Sequence, residues 1–369
     1  MATKNPVVIY GASGYTGRLI AEYLREYEIP FIAAGRDKAK VEEAMTHVPG
    51  IETAQFEVAE VSHDVDALAE LFAGAQVVCN TVGPFIKYGE VAVQAALKAG
   101  VHYLDTTGEQ CFLIDMKKKY GKQFADAGLV LVPSMAYMYA TQEIAAQIVL
   151  EEDGIDSLDT GLLASGVPTY GSTQSIFGMF ITDNLYLEND QFVPWEKARG
   201  WEINVPGRMM TQLAHPWGGG SLPVWFKDDC RVKNCRQLTS FTNRPMFEQI
   251  IELQKHYEAN IKQLPEAEQL AALSAIGEQM QPGMPPRENM LQHRAIDFAM
   301  GVGTAGSRTC VIRTGPGYLQ TGVLQAAAAH KLINNGPDTS GFCSPAQALG
   351  YRYLLGALKN FFPVEVDVY

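Results

Sequence analysis

A glycine-rich turn near the start of the chain constrains the fold most. In the segment VVIYGASGYTGRLIAEYL, Gly11, Gly14 and Gly17 separate an apolar run from residues with helical apolar spacing. Glycines in such a turn let the backbone approach a pyrophosphate, and the helix N-terminus supplies N–H donors. The segment therefore predicts a dinucleotide-binding turn between a strand at Pro6–Tyr10 and a helix at Tyr15–Glu26, although its spacing is G-x-x-G-x-x-G rather than G-x-G-x-x-G.

Short apolar runs and helical patterns then alternate over the first 134 residues. Further strands are predicted at Phe31–Gly35, Gln76–Val82, His102–Thr106 and Leu129–Pro133, and helices at Val65–Phe72, Glu90–Lys98 and Cys111–Ala127. Repeated β-α units of this kind predict an α/β fold with a Rossmann-type, doubly wound parallel sheet.

The end of the second predicted strand distinguishes between the two nicotinamide dinucleotides. An NAD site usually has an acidic residue there, whereas this chain has Arg36, with Lys40 nearby. A guanidinium group can bind a 2′-phosphate through paired hydrogen bonds, so NADP is favoured. Two alternatives remain: Arg36 is a solvated surface residue, and Asp37 starts the next helix.

Two more predicted strands end in polar turns at the edge of the sheet where ligands bind. The first turn extends from Asn80 to Pro84, and the second contains Asp105, which either caps the next helix or faces the substrate. The predicted cofactor-binding residues are Gly11, Ser13, Gly14, Tyr15, Thr16, Gly17, Arg36, Lys40, Asn80, Thr81, Val82, Gly83 and Pro84.

These segments together resemble the saccharopine dehydrogenase-like oxidoreductase family, in particular its branch with the trans-acting enoyl reductases. The similar motifs are GASGYTG, AGR, NTVGPFIKYGE and HYLDTTGE, followed near the end of the chain by TGPGYLQTGVLQAAAA and GFCSPAQALG. The resemblance implies NADPH as hydride donor and a second, α+β domain with a mixed or antiparallel sheet. It also implies a Rossmann domain at 1–135 completed by C-terminal helices at 318–369, around a substrate or dimerisation domain at 136–317.

The chain departs from the family pattern in two places. PSMAYMYATQE follows Pro133's strand where a Gly-Phe-Asp turn is expected, and about residues 185–300 do not align. A helical insertion is predicted at 245–280, as amphipathic helices at Pro245–Gln263 and Glu266–Met280, before a proline-rich loop at Gln281–Arg287. The substrate therefore does not carry over from the family.

Hydride transfer needs a group that protonates or stabilises the developing negative charge. The predicted catalytic residues are Tyr88, Glu109 and Tyr139. The chain lacks the Tyr-x-x-x-Lys helix of short-chain dehydrogenases at Tyr15 and Tyr88, and His215, in a glycine-rich loop, is a weaker candidate that is more often solvated.

The predicted substrate-binding residues are Thr107, Tyr137, Thr169 and Trp217. Each has a structural alternative, since Thr169 precedes a helix and Tyr137 can pack against one. All four tryptophans lie within the stretch 192–226, which lines an apolar pocket, forms a subunit interface or packs in a core.

Composition limits the possible partners and location. A formal charge of −12 disfavours nucleic acid and anionic lipid. No segment has the ~18 apolar residues of a membrane span or the pattern of a signal peptide. The six cysteines lack metal-ligand spacing and favour reduced thiols, so we expect no metal and a cytoplasmic protein, with a homodimer as one possible assembly.

The sequence thus predicts an NADPH-dependent reductase of a conjugated C=C bond in a mostly apolar small metabolite. The alternatives are an imine or carbonyl reductase, a saccharopine-type C–N dehydrogenase and, in another class, a non-catalytic NADP-binding interaction protein.

Overall fold

The computed structural model describes residues 4–281, 283–304 and 306–369. Met1–Thr3 of the predicted first domain and Pro282 of the predicted loop therefore lie outside the described residues. The chain forms two compact units. The first contains the residues up to Thr107, Phe112–Ala140 and Tyr318–Phe361, and the second contains Gly108–Cys111, Thr141–Gly317 and Phe362–Tyr369.

The strands and helices of both units are numbered in chain order. The strands are β1 Val7–Tyr10, β2 Phe31–Gly35, β3 Phe56–Glu60, β4 Val77–Asn80, β5 His102–Asp105, β6 Val130–Val132, β7 Ile155–Ala164, β8 Leu185–Glu188, β9 Gln191–Pro194, β10 Trp201–Ile203, β11 Gln212–His215, β12 Asn234–Phe241, β13 Ala295–Gly303, β14 Ser307–Thr314, β15 Gly341–Phe342 and β16 Glu365–Val368. The helices are α1 Tyr15–Glu26, α2 Lys38–Thr46, α3 Val65–Phe72, α4 Phe85–Ala99, α5 Gln110–Asp126, α6 Ala140–Val149, α7 Tyr170–Gly178, α8 Leu222–Phe226, α9 Arg244–His256, α10 Glu266–Met280, α11 Gly317–Asn334, α12 Pro345–Leu349 and α13 Tyr351–Phe361.

A parallel sheet forms the centre of the first unit, in the order β15-β6-β5-β4-β1-β2-β3. All four residues of β1 are buried, as expected for a central strand covered on both faces. The last residue of β1, Tyr10, pairs with Ala34 of β2 and with Asn80 of β4, so the loops after these strands meet at one edge. The predicted Rossmann-type, doubly wound sheet is confirmed.

A mixed sheet forms the centre of the second unit, in the order β10-β11-β12-β7-β13-β14-β16, with β8 and β9 attached to β12. Strand β12 is parallel to β7, whereas β13 is antiparallel to both β7 and β14. The C-terminal strand β16 pairs antiparallel with β14 at one end of this order. The predicted second domain with a mixed sheet is confirmed.

Asp297 lies in the middle of β13 and is fully buried. Its neighbours Ile296 and Phe298 face an apolar cluster, so strand alternation points the Asp297 side chain to the opposite face. Neither carboxyl oxygen has a hydrogen-bond partner in the part of the chain that the structure describes. Burial raises the pKa of this carboxyl well above its ordinary value.

Several elements differ from the sequence prediction. Helix α4 begins at Phe85, five residues before the predicted Glu90, because Pro84 occupies its N-cap position. Within the predicted C-terminal helices at 318–369, α12 and α13 are separated at Gly350, whose φ is +77°. Among the described residues, no helix combines the length and the apolarity needed to cross a membrane.

Candidate functional site

The glycine turn lies between β1 and α1. Gly11 has φ +94°, a region that glycine adopts far more readily than other residues, and a Cβ added there would lie 2.5 Å from Thr81 Oγ1. The Thr81 hydroxyl is in turn 3.1 Å from the carbonyl oxygens of Tyr10 and Gly11, to which it donates. The turn after β4 thus closes on the turn after β1, and any side chain at Gly11 would fill the space between them.

Gly17 lies in the first part of α1, against the turn that precedes the helix. A Cβ at this position would lie 2.7 Å from the Cα of Ala12 and would also collide with the carbonyl oxygen of Gly11. Gly14 occupies the N-cap, where no side-chain hydrogen bond caps the helix. Close backbone packing of this kind is compatible with a pyrophosphate cradle, and binding of the cofactor by these glycines stays a prediction.

The residues that follow β2 have different roles. Asp37 is the N-cap of α2, where its carboxylate accepts the backbone N–H of Lys40 at 3.1 Å. Lys40 is exposed, with its Nζ 3.5 Å from that carboxylate. Arg36 is exposed and lies one residue beyond the end of β2. Asp37 therefore starts the helix, which leaves Arg36 as the basic residue nearest to the strand end.

The adjacent strands β4 and β5 each end in a turn of the same kind. The Asn80 side-chain oxygen accepts the N–H of Val82 at 2.9 Å, and the Asp105 carboxylate accepts the N–H of Thr107 at 3.0 Å. Asp105 also accepts the N–H of Ser134 at 2.8 Å and is fully buried. The bonds of Asp105 go to residues outside helix α5, which begins at Gln110, so neither bond is the predicted cap of that helix. A substrate-facing role for Asp105 stays a prediction. The next turn contains Gly83 and Pro84, joined by a cis peptide bond.

The segment after β6 contains strained backbone. Ser134 and Met138 have φ +59° and +80°, a region that non-glycine residues seldom adopt. The N–H of Tyr137 donates to Thr321 Oγ1 at 3.1 Å, and Tyr139 is buried. Strained residues of this kind concentrate at functional sites, which supports the choice of this segment for predicted substrate and catalytic residues.

Tyr88 lies in the first turn of α4, where its ring meets the His63 ring edge to face, with 5.3 Å between centroids. The Tyr10 hydroxyl lies 2.8 Å from His63 Nδ1. His63 was not among the predicted site residues, because it follows β3, a strand that the sequence pattern did not reveal. The signal available in the sequence was only a histidine beside Asp64, the N-cap of α3.

In the second unit, Glu109 is fully buried and forms an isolated β-bridge with Gly219. Its neighbour Gln110 donates to the carbonyl oxygens of Leu185, Gly219 and Gly220 at distances of 2.9–3.0 Å. These contacts fix the backbone at Glu109 and at the residue that follows it. Its catalytic role stays a prediction.

Thr169 and Trp217 have structural contacts in addition to their predicted substrate roles. Thr169 is the N-cap of α7 and accepts the N–H of Ser172 at 3.2 Å. Trp217 is buried and stacks on Phe247, with 5.1 Å between ring centroids and 12° between planes. The structure does not test substrate binding at either residue, and both roles stay predictions.

His215 is buried, not solvated as the sequence suggested. Its Nδ1 accepts the N–H of Trp217 at 3.0 Å, so Nε2 carries the proton and donates to Gln254 Oε1 at 2.9 Å. Burial lowers the pKa of His215 to about 4, partly offset by the bond to Gln254. The imidazole is therefore neutral at physiological pH, and both of its nitrogens have structural bonds.

The tryptophan-rich stretch divides into two environments. Trp217 and Trp225 are core residues, with 6% and 3% of their surface exposed. Trp195 and Trp201 instead line a cavity of about 710 Å³ on the face of the second sheet, with Tyr186, Phe298 and Met300. The Trp195 ring lies 4.8 Å from both Tyr186 and Trp201, measured between centroids. This volume and these aromatic walls are typical of a small-molecule site.

Comparison with known proteins gives the family. Residues 140–368 match the family of unknown function DUF5938, and residues 7–132 match the saccharopine dehydrogenase NADP binding domain. The structure is similar to the apo, L-Glu-forming saccharopine dehydrogenase of Saccharomyces cerevisiae, with a TM-score of 0.62 and 13% identity over 98% of this chain and 99% of that chain. At that identity, the structural likeness shows the fold alone.

Curated relatives match different shares of the chain. A lipid droplet localized protein of Caenorhabditis elegans is 36% identical and a human saccharopine dehydrogenase-like oxidoreductase is 31% identical, over 37% and 36% of this chain. The chain spans about a third of the length of these two relatives, 34% of each. A trans-acting enoyl reductase of Mycobacterium tuberculosis is 28% identical over 69% of this chain and 67% of the relative.

These matches confirm the resemblance found in the sequence. They identify NADP as the cofactor of the N-terminal domain, and they support an NADP-dependent oxidoreductase as the general class. The glycine turn, the first sheet and the mixed second sheet agree with that assignment. The chain therefore belongs to the family of unknown function DUF5938 and carries a saccharopine dehydrogenase NADP binding domain at residues 7–132.

Proposed function

We propose that this protein is an NADPH-dependent reductase that transfers hydride to a conjugated C=C bond of a mostly apolar small molecule. The observation that carries the proposal is the glycine turn closed by Thr81, in a domain that matches an NADP-binding family. The backbone N–H groups of this turn would hold the pyrophosphate, and Arg36 would hold the 2′-phosphate. The bound cofactor supplies the hydride.

The protein's own contribution is to orient the acceptor and to hold a proton for the carbanion or enolate that hydride addition creates. Of the predicted proton donors, Tyr139 lies beside strained backbone and Glu109 is fully buried on a fixed segment. Tyr88 instead packs on His63, beyond the end of β3. In parallel sheets of this type the adenosine half of the cofactor lies on the β2 side, so Tyr88 is a better candidate for binding than for proton transfer.

Two observations support a C=C bond in an apolar substrate over an imine, a ketone or a saccharopine-type C–N bond. The relative that aligns over the largest share of this chain among those named above is a trans-acting enoyl reductase. Eight of the fourteen described residues that line the cavity beside Trp195 and Trp201 are aromatic or apolar, and among these fourteen Arg236 is the one basic residue, accompanied by Asp159, Glu196 and Glu202. A substrate with two or three carboxylates would need more cationic partners than that.

The experiment is a measurement of NADPH oxidation with a conjugated enone, a cyclic imine and an aryl ketone as acceptors. We expect turnover with the enone and much less with the other two. Glu109→Gln and Tyr139→Phe test the proton donor, with Tyr120→Phe as the matched control that removes a hydroxyl bonded to Glu90 and Gln94 of α4. The true donor's variant loses kcat but keeps its Kd for NADPH.

Turnover only with the imine or ketone would move the activity to those alternatives. Tight NADPH binding without turnover of any acceptor would favour the non-catalytic alternative. One structural observation favours that alternative: Met209, Met210 and Leu291 are 104%, 77% and 86% exposed. Exposed apolar side chains of this size are common where another molecule binds.

Assembly and location are also proposals. We retain a homodimer and a cytoplasmic location as predictions, and the relative from Caenorhabditis elegans is named as a lipid droplet localized protein. Light scattering of the purified protein tests the first. Imaging of a tagged chain beside a lipid-droplet stain tests the second, and a droplet pattern would overturn it.

A further inference from the structure

Three neighbouring strands, β1, β2 and β3, bring Tyr10, Arg36 and His63 to one end of the first sheet. Tyr10 is the last residue of β1, Arg36 follows the last residue of β2, and His63 follows β3 by three residues. Tyr10 pairs with Ala34, and Gly35 pairs with Glu60, so the three strand ends lie side by side. Arg36 interacts electrostatically with both Tyr10 and His63. His63 thus belongs to the same cluster as the residue predicted to bind the 2′-phosphate.

The contacts of His63 fix its tautomer. Burial raises the pKa of Tyr10 to about 12, so its hydroxyl is protonated and can donate. Burial, together with the positive charge of Arg36, lowers the pKa of His63, so the imidazole is neutral near pH 7. The Tyr10 side chain is buried, and among the described residues the acceptor for its hydroxyl is His63 Nδ1, 2.8 Å away. The hydroxyl therefore donates to Nδ1, and the proton of the neutral imidazole lies on Nε2.

The ring of His63 is held on two sides. It stacks nearly parallel to Tyr10, with 8° between planes and 6.1 Å between centroids, and it meets Tyr88 edge to face. Nε2 is buried and has no hydrogen-bond partner within the described ranges of the chain. The neighbouring carboxylate of Asp64 already accepts from Ser62 and from the N–H of Ala67. An oriented N–H donor without a described partner therefore lies at the same end of the sheet as Arg36.

We infer that His63 is a specificity-determining residue for the cofactor, and that its Nε2–H donates to the 2′-phosphate of NADP(H) together with Arg36. A buried N–H donor without a partner is costly, and a ligand that brings an acceptor removes that cost. A phosphate oxygen is a strong, charged acceptor that NADH lacks. The inference rests on the NADP-binding assignment of this domain and is independent of which bond the protein reduces.

The test is a set of dissociation constants measured without turnover. His63→Phe keeps a planar ring for Tyr10 and Tyr88 but removes the donor, and His63→Gln keeps an N–H donor near the position of Nε2. We expect His63→Phe to weaken NADPH about tenfold with NADH nearly unchanged, the loss of a hydrogen bond to a charged group. His63→Gln should recover part of the loss. Melting curves show that each variant is folded.

Adenosine 2′,5′-bisphosphate and AMP serve as minimal probes, because they differ only in the 2′-phosphate. The bisphosphate should shift the ¹⁵N resonance of His63 Nε2, and AMP should not. Equal weakening of NADPH and NADH in His63→Phe, no weakening of either, or equal resonance shifts with both probes would overturn the inference. A reductase that fails to turn over any acceptor but shows the expected NADPH-to-NADH change would refute the proposed function and leave this inference standing.

Discussion

The buried carboxyl group of Asp297 gives a quantitative prediction about pH. In the unfolded chain an aspartate ionises near pH 4, as ~3.9 is its ordinary pKa. In the folded chain burial raises the pKa of Asp297, and no described residue offers a hydrogen bond to either oxygen. The unfolded state therefore releases this proton at a lower pH than the folded state does.

The sign and size follow from linkage. Below about pH 4 both states hold the proton, and Asp297 does not change the free energy of unfolding with pH. Above that pH only the unfolded state gains from ionisation, so the free energy of unfolding falls by up to ~1.4 kcal/mol for each pH unit. The fall continues until the pH reaches the pKa of the folded state. Asp297→Asn has nearly the same shape and no ionisable group, so its unfolding should lack this component.

The assay is urea denaturation followed by tryptophan fluorescence at several pH values from 4.5 upward. All four tryptophans lie between positions 195 and 225, in the second unit, so their emission reports on the unit that contains Asp297. The quantity of interest is the difference in unfolding free energy between Asp297→Asn and the unmodified chain. It should grow in favour of the variant as pH rises, by up to ~1.4 kcal/mol per unit.

If the asparagine amide packs less well than the carboxyl group, the difference in unfolding free energy shifts by the same amount at every pH. Its slope against pH therefore still reports the ionisation of Asp297. Asp159→Asn is the matched control, since Asp159 is an exposed carboxylate on the adjacent strand β7. It makes the same Asp-to-Asn change at an exposed position of the same sheet. Parallel curves for Asp297→Asn and the unmodified chain would refute the reasoning, because they would mean that Asp297 ionises in the folded state as it does in the unfolded one.

Three further predictions concern the turn, the strand end and the second sheet. Gly17→Ala should weaken NADPH and NADH alike, as measured by titration, because the new Cβ displaces the Gly11 carbonyl from the turn; unchanged affinity would contradict the cradle. Arg36→Ala should weaken NADPH far more than NADH in the same titration, and equal losses would remove Arg36 from the site. Gly161→Ala should lower stability by ~1–3 kcal/mol in urea denaturation, because its Cβ would lie 2.9 Å from an atom of the Phe298 ring, with NADPH binding unchanged.

The parts of the fold that the sequence predicted well are those with local signals. Helix α1 and strand β2 begin and end where their patterns indicated, because the glycine turn and the apolar spacing act over a few residues. Strand β3 was missed because it lies at the end of the sheet and only partly buries its side chains. Helix α6 was missed because nine of its ten residues are buried, Thr141, Gln142 and Glu143 among them, so its polar residues do not mark a solvent-exposed face.

The candidate site divides in the same way. The cofactor turn is a property of one short segment, so the sequence alone could name its residues, whose contact with the cofactor stays a prediction. The contact of Tyr10 with His63 joins residues 53 positions apart, and no spacing rule connects them. His215 was expected to be solvated because glycine-rich loops usually are, yet Gln254 of a distant helix covers its Nε2. Contacts between residues so far apart in the chain depend on how helices and strands pack together, and a single sequence gives no direct signal of that packing.

The position of β16 has a practical consequence for handling the protein. This strand ends the order of the second sheet and carries Glu365 and Asp367, the latter paired with Arg313 of β14. Acidic side chains on an outer strand discourage the strand-to-strand pairing that leads to aggregation. A truncation that removes β16 would leave β14 as an uncovered edge, with its hydrogen-bonding groups open to the same strand of another molecule. Shortened versions of this chain should therefore keep the strand Glu365–Val368 intact if they are to stay in solution.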